Sequence, residues 1–170
     1  MENDKSAVII GAGLVGSLWA VYLAKAGYKV TIYERRPDIR LAEISAGKSI
    51  NLALSVRGWT ALDEVGVGDE VRKIAIPMYG RVMHDLEGNL NYQQYGKDGE
   101  AIFSVSRGKV NATMMDVAEK HGGATIHYQH TCEKVDLEKG IVYLTNNKTN
   151  ESFSVQSDVV FAADGAFSNV

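Results

Sequence analysis

The apolar positions of the first third of the chain change period twice. Residues 7–10 (Ala-Val-Ile-Ile) form a continuous apolar run, Leu18, Val21 and Tyr22 recur at helical spacing, and a second run closes on Glu34. That order predicts a strand, a helix and a second strand, the pattern of a parallel βαβ unit. The pattern breaks at Arg35-Arg36-Pro37-Asp38, a cluster of charge and a helix breaker. Residues 49–54 read as extended. Ser55 stands where it can cap a short helix carrying Leu62 and Val65 and closed by Gly66, and residues 69–74 predict one or two further helical turns.

From Tyr79 the period becomes two. Tyr79, Arg81, Met83 and Asp85 alternate with Gly80, Val82, His84 and Leu86, and a turn at Glu87-Gly88 precedes the polar run 89–95. An antiparallel pair is therefore expected here, in place of another crossover. Residues 102–105 predict a strand. Ser106 is positioned to cap a helix reaching His121, with Val110, Met114, Val117 and Ala118 on one face and Gly122 at its exit. The last third is strand-rich: 124–128, then 131–137 paired with 141–145 across Glu138-Lys139-Gly140, then 153–156 as an edge. Residues 158–163 are a nearly unbroken apolar run, the composition of a buried parallel strand. Together these elements predict an α/β fold, a Rossmann-like parallel sheet with antiparallel β insertions, within one domain spanning 1–170.

The turn between the first strand and helix carries the chemistry. It reads Gly11-Ala12-Gly13-Leu14-Val15-Gly16, and Glu34 stands 18 positions after Gly16, close to the ~20 that separates a phosphate-binding glycine turn from its ribose-binding acid. Gly11 lets the chain turn sharply, Gly13 lets backbone N–H groups approach a pyrophosphate, and Gly16 lets the helix sit close to the sheet. The anion rests at the helix N-terminus, favoured by unpaired N–H groups and the helix dipole. Glu34 would repel a 2′-phosphate, so FAD or NAD fits better than NADP at this site. A membrane or secretory reading competes, because residues 7–24 carry no charge and Ala24-Lys25-Ala26 mimics a cleavage site. Against it stand the missing basic flank and the glycines at phosphate-loop spacing.

The bulk properties narrow the choice further. A chain of 170 residues with net charge −3 and one cysteine, Cys132, argues against nucleic-acid and anionic-membrane partners and suits a reducing, cytoplasmic setting. The histidines show no metal-ligand spacing, so no metal is expected.

Further along, the chain resembles the N-terminal part of the class A FAD-dependent aromatic hydroxylases, and within them the kynurenine-hydroxylating members. The segments that carry the resemblance are residues 48–58, Ile76-Pro77-Met78-Tyr79-Gly80-Arg81-Val82-Met83-His84, Ser104-Val105-Ser106-Arg107 and Ala163-Asp164-Gly165-Ala166-Phe167-Ser168. The last is similar to the family's Asp-Gly motif, whose closing arginine would fall past Val170. The resemblance implies FAD as bound cofactor, NADPH and O2 as co-substrates, and hydroxylation of L-kynurenine to 3-hydroxykynurenine through a flavin C4a-hydroperoxide. It also implies that Gly11, Gly13, Val15, Gly16, Tyr33, Glu34, Arg35, Arg36, Ala53, Arg107, Cys132, Asp164, Gly165 and Asn169 contact FAD. Arg81 and Tyr95 match the pair that grips the substrate carboxylate; no residue of this chain is implied as catalytic. The family's second flavin motif and much of its substrate pocket lie beyond Val170, so a truncated domain, inactive alone, is expected.

Other readings stay open. On the bare sequence, Arg81 is a solvated strand arginine and Tyr95 a surface tyrosine. A flavin hydroxylase of another aromatic carboxylic acid would use the same pair. A NAD-dependent dehydrogenase predicts repeated βαβ units after Glu34. A nucleotide-binding module without catalysis predicts a bound dinucleotide and no turnover.

Overall fold

A computed structural model describes residues 5–41, 50–120 and 122–170. The chain opens with β1 (Ser6–Ile10), α1 (Leu14–Lys25) and β2 (Lys29–Glu34). Next come β3 (Asn51–Leu54), α2 (Val56–Glu64), α3 (Gly68–Arg72), β4 (Ile76–Met78), β5 (Gly80–His84), β6 (Leu90–Gln94) and β7 (Ile102–Ser106). α4 (Arg107–Lys120) is followed by β8 (Thr125–Tyr128), β9 (His130–Asp136), β10 (Ile141–Asn146), β11 (Ser152–Gln156) and β12 (Val159–Ala162). The elements divide into two compact units, residues 1–44 with 111–170, and residues 45–110.

The first unit is built on a four-stranded parallel sheet in the order β12-β1-β2-β8. Its central strands β1 and β2 are largely apolar and buried, and each face there is covered. Val8, Ile10 and Tyr33 pack with Cys132, Val142 and Leu144 of the three-stranded antiparallel sheet β11-β10-β9. Ala7, Ile9 and Ile32 alternate onto the opposite face, and all three are buried. Helix α1 lies against β1 and β2, buries Gly16, Ser17, Ala20, Val21 and Leu23, and sets Trp19 edge-on to Phe161 at 5.5 Å. Of its sequence-marked positions, Val21 is fully buried, while Leu18 and Tyr22 are half-buried. Arg40 binds the segment after β2 to α4, donating to Asp38, Asp116, Glu119 and the Tyr128 hydroxyl at 2.6–2.8 Å.

The second unit holds a three-stranded antiparallel sheet, β3-β7-β4, and the two-stranded hairpin β5–β6. Trp59 of α2 meets Phe103 of β7 edge-on at 5.2 Å, and the Arg72 guanidinium, paired with Asp63, lies over the Trp59 ring.

The expected α/β class, with its parallel sheet and antiparallel insertions, is the class observed, and the strand pairs at 80–94 and 130–146 fall where the alternation put them. Two local expectations need correction. β12 does pair in parallel with β1, but as an edge strand: its residues are half-buried and Ala162 is exposed. Among the described residues no strand lies on its outer side, so its apolar composition is only partly used. Ser55 does precede α2, but its hydroxyl makes no capping bond; Ser106 accepts one from the Lys109 N–H at 3.4 Å. The stretch 7–24 is split between β1, a turn and α1, and among the described residues no helix is long and apolar enough to cross a membrane. His121 and residues 42–49 lie outside the described set.

Candidate functional site

At β1 the strand order reverses: α1 carries the chain to β2 on one side, while β12 flanks β1 on the other. Ligands of open α/β sheets bind at the carboxyl ends of the strands beside such a switch point, and here that place is occupied by residues 11–16. The Gly11 N–H donates to the Tyr33 carbonyl at 2.8 Å, and its φ of +99° is open essentially only to glycine. A Cβ at Gly11 would lie 2.6 Å from the Ala163 carbonyl oxygen and 3.0 Å from the Asp164 Cα. A Cβ at Gly16 would collide with the Gly11 carbonyl oxygen and press on the Ala163 side chain. The glycine turn and the Asp-Gly turn thus back onto one another. Gly13 differs, because a Cβ there meets nothing within 4 Å. The first turn of α1 therefore has one closed side and one open side. Val15, two residues after Gly13, is 71% exposed.

Glu34 ends β2 and is almost wholly buried. Its Oε2 accepts the Ala12 N–H at 2.8 Å, and its Oε1 accepts the Arg36 N–H at 2.9 Å and the Arg36 Nε at 2.7 Å. Burial pushes the carboxyl pKa up, but the Arg36 guanidinium and the N–H groups of Arg36 and Ala12 outweigh it, leaving the carboxyl below its ordinary range. The acid is thus held ionised against the glycine turn, where a carboxylate can accept sugar hydroxyls. The Arg36 side chain is half-exposed, which makes it the exchangeable partner.

The remaining residues of this unit gather around the same strand ends. Tyr33 is buried, stacked on His127 with ring centroids 5.0 Å apart. Arg35 is exposed, and its carbonyl accepts Asn147 Nδ2 at 3.1 Å. Asn169 donates its backbone N–H to Asp164 Oδ2 at 3.1 Å and its side-chain amide to the Cys132 carbonyl at 2.9 Å. Gly165 opens the 3-10 turn Gly165–Phe167. Cys132 faces the core, and burial, helped by the nearby Asp164 and Glu133 charges, pushes its thiol up to about 11. At pH 8 the native thiol should accordingly react with an aromatic disulfide reagent about a hundredfold slower than in the urea-unfolded chain, following the loss of thiolate. Native labelling at the unfolded rate would contradict this burial.

The second unit carries the other four sequence-marked residues. Ala53 is exposed on β3, opposite Ser104 of β7. Arg107 starts α4, exposed, with its N–H on the Ile50 carbonyl at 3.2 Å. Arg81 pairs with Gln93 across the hairpin and donates Nε and Nη2 to its side-chain oxygen at 2.8 and 2.6 Å. Tyr95 extends that ladder by giving its N–H to the Tyr79 carbonyl at 2.9 Å. This register puts Tyr95 diagonal to Arg81 on one face. A guanidinium fork and a phenol on one face suit a carboxylate.

Sequence reasoning passed over Asn111. It lies on the buried face of α4, and its Nδ2 donates to the Ala12 carbonyl of the glycine turn at 3.2 Å. Ser17 donates to the same oxygen at 3.3 Å. The available signal was a lone amide at an apolar helical position, one residue after Val110. Among the described residues no group of His, Cys, Asp and Glu side chains could hold a metal ion.

Comparison with known proteins places this geometry in context. The family model described as "FAD binding domain" matches residues 4–170. The chain is 45% identical over its whole length to a kynurenine 3-monooxygenase of Christiangramia forsetii and 48% identical to one of Flavobacterium johnsoniae, spanning 38% and 37% of their lengths. A kynurenine 3-monooxygenase of Sus scrofa is 40% identical over 166 residues, of which the match spans 35%. Among solved structures, the p-nitrophenol 4-monooxygenase of Pseudomonas putida superposes with a TM-score of 0.80 at 23% identity, over 99% of this chain and 42% of its own. A flavin-dependent monooxygenase, PieE, solved with FAD and substrate, gives 0.80 at 18% identity, over 98% of this chain and 31% of its own. At those identities the two structures speak for the fold alone.

Proposed function

Because the chain belongs to the FAD binding domain family, we propose that it forms the FAD-holding part of a monooxygenase that hydroxylates L-kynurenine at the 3-position with NADPH and O2. The observation that carries the cofactor reading is the two-sided glycine turn. It is packed against Ala163 on one side, with Gly13 open on the other and the buried Glu34 carboxylate beside it. The fit to FAD is chemical: helix N–H groups for the diphosphate, a carboxylate for the ribose. At Glu34 the ribose hydroxyls would be held in exchange for the half-exposed Arg36 guanidinium, with the Ala12 contact kept. Tyr33, Arg35, Arg36, Cys132, Asp164, Gly165 and Asn169 line the same strand ends, and Ala53 and Arg107 are assigned to the cofactor from the family resemblance.

When bound, the flavin supplies the redox and oxygen chemistry. The chain's own share is to hold the cofactor and to orient the aromatic amino acid. On giving up Gln93, Arg81 would offer two parallel N–H bonds, and Tyr95 one O–H, to the substrate carboxylate. The identity to kynurenine 3-monooxygenases along the whole chain favours kynurenine over other aromatic acids.

The cofactor reading is tested by titrating the purified chain with FAD and following flavin fluorescence; saturable binding at one equivalent is expected. The substrate reading needs the whole protein, assayed for kynurenine-stimulated NADPH oxidation and for 3-hydroxykynurenine. There, Arg81→Ala should raise the kynurenine KM about thirtyfold, in line with ~2 kcal/mol for a charge-assisted pair, with FAD affinity unaltered. An unchanged KM would remove Arg81 from the substrate site. Stimulation by a different aromatic acid, and none by kynurenine, would keep the flavin reading and replace the substrate.

A further inference from the structure

We infer that Asn111 is a positioning residue for diphosphate recognition, an inference that rests on the FAD reading above. The peptide joining Ala12 to Gly13 has two polar ends. In a trans peptide the carbonyl and the N–H of one unit point in opposite directions, and no cis peptide occurs among the described residues. The Ala12 carbonyl is held on the protein side by Asn111 Nδ2 at 3.2 Å and Ser17 Oγ at 3.3 Å, both donors belonging to buried residues. The Gly13 N–H is thereby turned the other way, toward the side where a Cβ on Gly13 would meet nothing within 4 Å. The preceding peptide is fixed as well, since the Ala12 N–H is bound to Glu34. Asn111 therefore sets the direction of the N–H that the diphosphate must meet.

A second observation says that this amide is kept for its donor and not for packing. Asn111 is 6% exposed, and its Oδ1 is buried with no hydrogen-bond partner among the described residues. The amide cannot be turned over to relieve this, because Oδ1 would then face the Ala12 carbonyl oxygen. Leaving a buried acceptor unpaired is costly, and the neighbouring buried positions of α4, Val110, Met114, Met115 and Ala118, are all apolar. A leucine at this position would satisfy the pattern and remove the orphan oxygen. The asparagine is thus a stability defect whose compensation lies in the glycine turn.

The test separates orientation from mere support. Asn111→Leu should melt at the wild-type temperature or higher, yet bind FAD and ADP about tenfold more weakly, the loss expected for one directing hydrogen bond. Adenosine, which lacks the diphosphate, should bind N111L and wild type equally. Asn111→Ala, which adds no bulk, should show the same selective loss of ADP, and Ser17→Ala a smaller one. ADP affinity unchanged in both N111L and N111A overturns the inference. A lowered melting point with equal losses for ADP and adenosine also overturns it, by reducing Asn111 to a structural residue. A wild-type chain that binds neither FAD nor ADP defeats the parent reading instead, a result distinct from either.

Discussion

Gly11→Ala is expected to destabilise the chain by about 3 kcal/mol or more and to abolish FAD binding. Two costs add at this residue. A non-glycine residue at φ +99° stores on the order of 1–3 kcal/mol of backbone strain. The new methyl also falls 2.6 Å from the Ala163 carbonyl oxygen, a backbone atom that cannot rotate away, and overpacking of this kind costs a further ~1–3 kcal/mol. The informative partner is Gly13→Ala. Its φ of −72° is ordinary and its Cβ meets only open space, so stability should move by no more than about 0.5 kcal/mol. Yet FAD affinity should fall sharply, because that methyl would fill the open side proposed for the diphosphate. Urea melts and flavin titrations on both variants decide the matter. Normal FAD binding by G13A would mean that the cofactor does not approach the turn from its open side.

The second large effect is expected at Glu34. Removing its carboxylate by Glu34→Ala strands the buried Ala12 N–H and deletes the acceptor proposed for the ribose. Hydrogen bonds to charged groups contribute ~1.5–3 kcal/mol each. The Ala12 bond is present with or without cofactor, so its loss lowers stability; the lost ribose bond makes FAD binding weaker by roughly ten- to a hundredfold. The pH dependence carries a sign. Because the folded-state pKa of Glu34 is lowered, the unfolded chain binds the proton more readily. The contribution of Glu34 to stability is therefore full above the ordinary glutamate pKa, ~4.3, and disappears as pH falls through the lower folded value. Glu34→Gln should flatten that acid limb while retaining an acceptor for Ala12. An acid limb identical in E34Q and wild type would show that other carboxylates dominate it.

What the sequence disclosed, and what it hid, follows from the range of the interactions. Strand and helix periods, the glycine spacing and the hairpins are local signals, and β1, α1, β2 and the β5–β6 and β9–β10 pairs follow from them. The diagonal placement of Arg81 and Tyr95 also follows from alternation once the register is known. The contacts that shape the cofactor cradle are of another kind. Asn111 reaches Ala12 across 99 positions and Asn169 reaches Cys132 across 37, and no periodic pattern discloses either partner. Asn111 showed only as a polar interruption of an apolar helix face. The edge position of β12 was equally hidden, because an apolar run states that a strand wants neighbours and not how many it finds. Glu34 was legible as a ribose acid, but its grip on Ala12 was not, since nothing in the spacing distinguishes a ligand's acceptor from the turn's own.

The backing of Gly11 by Ala163 and Asp164 carries a consequence for the order of events during synthesis. The glycine turn and the acid at Glu34 leave the ribosome early, but the wall behind them, Ala163 and Asp164, is made far later in the chain. Until β12 has paired with β1, nothing holds the bend closed from behind, and the nascent polypeptide should have little hold on flavin. Cofactor capture would then report that β12 has joined β1, and mass action would make that capture the step that locks the pairing.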